Sequence, residues 1–134
     1  MTIVVAYQET SEGRGALGHA LAEARLRHSD LVVLTAPGRP GGEPVTRLPE
    51  VTVPPIGGQG DAADGTDIAV QLRTAVRPDH LSDELLDLAG ELDAELIVIG
   101  LRRRSAVGKL LLGSAAQNVL LNATVPVLAV HVSD

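Results

Sequence analysis

The stretch from Leu96 to Ser114 most constrains how this chain can fold. An apolar run of strand length, Leu96-Ile97-Val98-Ile99, ends abruptly at Gly100. A loop carrying Arg102, Arg103, Arg104 and Lys109 follows, and the pair Gly113-Ser114 opens a last helix running to Leu121. A run that is apolar on both strand faces must be covered on both, which is the condition of a strand inside a parallel sheet. Strand, basic loop and a helix start built from small residues are the parts of an anion site. Unpaired backbone N–H groups point out of a helix start, the dipole favours negative charge there, and small residues allow close approach.

The remaining chain repeats the strand and helix alternation. Ile3-Val4-Val5-Ala6-Tyr7 and Leu31-Val32-Val33-Leu34-Thr35-Ala36 are two further buried strands. Between them a helix runs to about His28. Leu17, Ala20, Leu21 and Ala24 form its apolar stripe, and Thr10 or Ser11 is placed to cap its start. Gly13, Gly15 and Gly18 weaken its first turns by about 1 kcal/mol each relative to Ala, and admit either close packing or simple tolerance. From Pro37 to Gly65 the pattern collapses into a Pro- and Gly-rich excursion, with at most a short extended piece over Leu48 to Val53. Asp67 to Leu72 alternates and reads as a half-exposed edge strand. Leu81, Leu85, Leu88 and Leu92 recur at helical spacing, and Val125 to Val130 is a fifth, apolar strand. Alternating strands and helices imply an α/β domain with a parallel sheet, in which a ligand sits beyond the carboxyl ends of the strands where the winding reverses. If the first and fourth strands meet there, the Gln8 turn and the Gly100 loop share one pocket.

Composition narrows the function. A chain of 134 residues suits one domain, here read as residues 1–134, and with 45% hydrophobic but 1% aromatic residues its core must be Val, Leu, Ile and Ala. The net charge of −6 argues against nucleic acid as a partner, yet the loop after Gly100 is locally basic. The absence of cysteine excludes disulfides, thiolate zinc sites and cysteine nucleophiles. No run approaches the roughly 20 apolar residues of a membrane helix and no leader pattern opens the chain, so a cytoplasmic protein without membrane contact is expected. His19, His28, His80 and His131 show no metal-ligand spacing, and a divalent metal is neither implied nor excluded. No Ser/His/Asp set and no paired carboxylates can be argued, so the residues point to binding, with a slow ATPase as a third reading.

Val4-Val5-Ala6-Tyr7, Leu85-Leu86-Asp87-Leu88-Ala89, Glu95-Leu96-Ile97-Val98-Ile99-Gly100, the run from Gly108 through Gly113-Ser114 to Ala115, and Val125-Pro126-Val127-Leu128-Ala129-Val130 together resemble the universal stress protein family. The resemblance spans essentially the whole chain. It implies a Rossmann-like, adenine nucleotide alpha hydrolase-like fold: a doubly wound open parallel sheet of strand order 3-2-1-4-5. In nucleotide-binding members a Gly-x-x-Gly loop and a later Gly-Ser or Gly-Thr hold ribose and phosphates, and an aspartate after the first strand holds the adenosine part. Carried over, Gly100 is the first motif glycine, Gly113 and Ser114 are the later pair, and Ala115 and Ala116 offer backbone N–H groups. The adenine of ATP or AMP then lies near Ala6, Ala36 and Ile99. Two positions depart from the motif. The second glycine is Arg103, whose side chain either blocks the site or pairs with phosphate. The aspartate is Gln8, which keeps hydrogen-bonding capacity but no charge. The excursion at 37–65 replaces the family's usual helix between the second and third strands.

Two functional expectations follow. One is a stress-response regulatory protein that binds an adenine nucleotide or another phosphorylated ligand at the switch point. The other is a nucleotide-free interaction module of the same family. Both include a homodimer through the apolar edge strand 125–130, since an exposed apolar edge invites pairing.

Overall fold

In the computed structural model, which describes residues 1–37, 42–43, 45–55, 68–102 and 113–132, five strands form one parallel sheet in the order β3-β2-β1-β4-β5. The elements are β1 (Thr2–Tyr7), α1 (Ser11–Arg27), β2 (Asp30–Thr35), β3 (Val70–Thr74), α2 (Leu81–Leu92), β4 (Leu96–Arg102), α3 (Ser114–Asn122) and β5 (Val127–Val132). A 3-10 turn at Pro78–His80 leads into α2. The expected order and the central placement of β1 beside β4 are both present.

Each strand of the sheet's centre divides its side chains between two cores. Ile3, Val5 and Tyr7 face α1, where Ala16, Leu17, Ala20, Leu21 and Ala24 are buried. Val4 and Ala6 face the other way, against Leu85, Leu88 and Ala89 of α2 and Val119 of α3. Because successive strand residues point to opposite faces, a continuous apolar run fills both layers. Each fully buried Val, Leu or Ile contributes about 1.5–3 kcal/mol of transfer free energy. Tyr7 is the only aromatic residue of the chain. Burial pushes its hydroxyl pKa up, Glu9 adds to that, and Arg14 opposes it.

The ends of the helices follow from local chemistry. Thr10 is the N-cap of α1, its Oγ1 accepting from Gly13 N at 3.0 Å. His28 and Asp93 close α1 and α2 in the left-handed region, at φ 54° and 52°. Below the sheet's amino edge, buried Ser29 donates to the Glu95 carboxylate, which also pairs with Arg27 at 3.2 Å. Glu95 is held below the usual carboxylate range, first by the Ser29 hydroxyl and then by Arg27, against the opposing effect of its burial.

Several boundaries differ from the sequence reading. The third strand spans Val70–Thr74, with Ile68 and Ala69 outside it, while Asp67 lies outside the described residues; pairing with Leu31 at Val70 sets its start. Its exposed, edge position is as expected. The fourth strand continues past Gly100 to Arg102 because β5 keeps pairing with it to Val132. The fifth strand begins at Val127: Pro126 has no N–H to donate, and only its carbonyl joins the ladder, accepting from Ile97 N at 2.9 Å. The described parts of the excursion, 37, 42–43 and 45–55, form no strand, and the longest of them is 45–55. It lies as a strap across α1. Val45, Val51 and Val53 pack onto the core, and a Cβ on Gly18 would stand 2.1 Å from Thr52 O. Gly18 is therefore a packing glycine. Among the described residues no helix is long and apolar enough to cross a membrane.

Candidate functional site

The sheet opens at its switch point. β1 pairs with β2 through Tyr7 and Thr35, but its pairing with β4 is carried only from Ile3 and Leu96 to Val5 and Val98. Beyond that pair the strand ends separate, and the first turn of α1 enters between them. A Cβ on Gly100 would sit 2.1 Å from Glu12 O, and one on Gly13 would sit 2.1 Å from Gln8 O. Above this junction lies a cavity of about 660 Å³, bounded by the β1–α1 loop, the end of β4, the turn into α2 and the start of α3.

Of the residues singled out in the sequence, Ala6, Gln8, Ile99, Gly100, Gly113, Ser114, Ala115 and Ala116 line this one cavity. Ala36 does not; it is 1% exposed, and its N–H donates to Tyr7 O at 3.0 Å as the last rung between β1 and β2. Arg103 lies outside the described residues.

The two glycines differ in what requires them. Gly100 is demanded by packing, because a side chain there meets the backbone of α1. Among the described residues nothing in packing or conformation demands Gly113. Its φ is −69°, which any residue adopts, and a Cβ would meet no described residue within 4 Å.

The cavity is electrically uneven. Among the described residues neither α2 nor α3 has a side-chain cap at its start. The start of α2 carries its own carboxylates, Asp83 and Glu84, with Asp79 just ahead. Glu84 is fully engaged, accepting from Val76 N at 2.9 Å and Arg77 N at 2.8 Å. Asp83 accepts from Asn118 Nδ2 at 2.6 Å, and that same nitrogen donates to Ser82 Oγ at 2.9 Å, which clamps α2 to α3. The start of α3 has no acidic residue in its first turn. Its dipole is thus unanswered among the described residues, while that of α2 is answered internally. On the α1 side, Glu12 also lines the cavity, with a buried Oε1 that has no hydrogen-bond partner among the described residues. Among the described residues no three His, Asp or Glu side chains cluster as metal ligands.

The universal stress protein family model matches residues 1–131. The chain belongs to the universal stress protein family. A universal stress protein of Mycolicibacterium smegmatis is 37% identical over 128 residues, covering 96% of this chain and 95% of that one. The solved universal stress protein of Archaeoglobus fulgidus shares 32% identity at a TM-score of 0.66, with 97% of this chain and 98% of that one covered. The structure of the universal stress protein from Archaeoglobus fulgidus in complex with dAMP shares 26% identity at a TM-score of 0.60, covering 97% of each chain.

Sequence reasoning missed one wall of the cavity in this family member. Pro78, Asp79, His80 and Asp83 were not among the candidate site residues, yet all four line the cavity. Their position depends on α2 docking against α3, which no local pattern reports. Asn118 was findable: it lies four residues after Ser114 and so shares its helix face.

Proposed function

We propose that this universal stress protein is a stress-response regulatory protein that binds an adenine nucleotide in the switch-point cavity. The reading is carried by the amino end of α3, which among the described residues has no side-chain cap, no acid in its first turn and, at its N-cap, a glycine whose Cβ position is open. A phosphate takes the N–H groups of Ser114, Ala115 and Ala116, and Gly113 lets it approach the backbone. The base takes the apolar half of the cavity, where Ala6, Leu85, Ile99, Ala116 and Val119 belong to the second core. The dAMP complex of a solved relative supports the ligand class. Carboxylates of Glu12, Asp79 and Asp83 on the other walls disfavour extra phosphate charge, so AMP is preferred to ATP. Arg103, from the basic loop, supplies countercharge. In this reading the working unit is a homodimer through β5.

Gly113→Val tests the site. The added side chain meets no described residue, so the stability cost is limited to the poorer N-cap, about 1 kcal/mol or less, while the calorimetric affinity for AMP falls by at least tenfold. Unchanged affinity sinks the phosphate assignment. Mass spectrometry of the small molecules released on heating gives the second arm. A protein that releases no nucleotide and ignores added AMP, ADP and ATP is the nucleotide-free interaction module instead.

A further inference from the structure

The turn into α2 puts a histidine on the cavity wall and holds its backbone there. Pro78 fixes one backbone angle of the 3-10 turn, and His80 N donates to Arg77 O at 2.8 Å. The turn is anchored from α2. The Glu84 carboxylate accepts from Val76 N and Arg77 N, and the Arg77 guanidinium pairs with Asp87 at 3.0 Å. None of these contacts uses the imidazole. The exposed side chain of His80 stands at the N-cap of α2 without capping it, and has no hydrogen bond or ion pair among the described residues.

Resting on the nucleotide reading above, we infer that His80 is a further ligand-binding residue: its protonated imidazole pairs with the phosphate held at the start of α3, so that AMP binds more tightly as pH falls. Placement supports the phosphate as its partner. Asn118 of α3 bonds to Ser82 and Asp83 of α2, which fixes the level at which the two helices meet. One turn back from that clamp stand Ser114 on α3 and the Pro78–His80 turn ahead of α2. Both line the cavity, so His80 and the amino end of α3 bound the same part of it.

The charges around the histidine make its protonation matter. Asp79 precedes it, Asp83 follows one turn on, and Glu12 lines the cavity from α1. Glu84 is engaged by the turn, and α3 carries no charged residue. Among the described lining residues the other basic side chain is Arg102, at the end of β4. A phosphate entering beside three carboxylates is repelled unless a cation stands next to it. Histidine is the side chain that acquires positive charge within the physiological pH range, and it is neutral above that range. The wall beside the phosphate is therefore less acidic at lower pH.

Calorimetry of AMP and of adenosine at about pH 6 and about pH 8 tests this, with the parent and the neutral variants His80→Gln and His80→Asn. A phosphate monoester titrates in the same range, so parent and variant are compared with each other at each pH. At the lower pH the parent binds AMP roughly three- to tenfold more tightly than either variant, between the worth of an exposed ion pair and that of a charged hydrogen bond. At the higher pH parent and variants bind AMP alike. Adenosine, which lacks the phosphate, binds parent and variants alike at both. The inference is overturned if the ratio of parent to variant affinity for AMP is the same at both pH values, or if adenosine shows the same pH-dependent gap. A parent that binds AMP without the gap refutes the role of His80 and leaves the nucleotide reading standing. A parent that binds no AMP at either pH overturns both.

Discussion

Gly100 and Gly113 carry the same letter and opposite obligations. At Gly100 a methyl group would lie 2.1 Å from a backbone oxygen of α1, and a backbone atom cannot rotate away as a side-chain end can. Gly100→Ala must push the first turn of α1 out of the crevice. We expect a loss of about 1–3 kcal/mol in urea denaturation, the range of core overpacking. An unchanged midpoint would show that α1 yields freely. Both positions were legible in the sequence as glycines flanking a basic loop, but their reasons were not. Resemblance assigns both to a ligand. Only the packing distances separate a glycine that the fold needs from one that it leaves over. Ala36 shows the converse. It sits at the end of an apolar strand, as Ala6 does, but its strand stays paired with β1 to the last residue and leaves no opening beside it.

Elements hold their places through a few polar contacts beyond the apolar layers. Ser29, 2% exposed, ties the end of α1 to the start of β4 by donating to Glu95, which Arg27 also reaches. A hydrogen bond from a buried hydroxyl to a carboxylate is worth about 1.5–3 kcal/mol. Ser29→Ala therefore lowers stability by about that amount at neutral pH, read from the urea midpoint. The pH dependence has a definite sign. The folded-state pKa of Glu95 lies below its ordinary value of 4.5, so its contribution is complete above that value and is lost as pH falls through the lower folded value. The gap between parent and Ser29→Ala should close in that acid range, and a gap independent of pH would place the cost in packing alone. Strands and helices as elements were readable from runs and spacings. Their ends were set by partners distant in sequence: β4 runs on because β5 pairs with it, and β5 starts late because Pro126 cannot donate. The strap over α1 had no periodicity to read, since Pro-rich chain makes its contacts residue by residue.

On the scale of the whole molecule, the two edges of the sheet are unequal. β3 ends the sheet with exposed Val70, Gln71, Arg73 and Thr74. β5 ends it with the half-buried apolar residues Val127, Leu128 and Ala129, and Leu120 and Leu121 of α3, 40% and 80% exposed, lie close before it in sequence. A polar edge is protected against pairing, and an apolar one is open to it. Pairing two copies through β5 extends one sheet into the next and covers the apolar edge by a two-fold contact. The described cavity takes no residue from β5, because β4 stands between them. Association and ligand binding are thus separable. Ala129→Glu, which puts a charge on the outer strand, should convert a dimer to a monomer in sedimentation velocity while the affinity for AMP stays within twofold of the parent. A parent that sediments as a monomer refutes the edge assignment. A monomeric variant that also loses AMP shows that the partner copy completes the site, and the separation argued from the lining residues is then wrong.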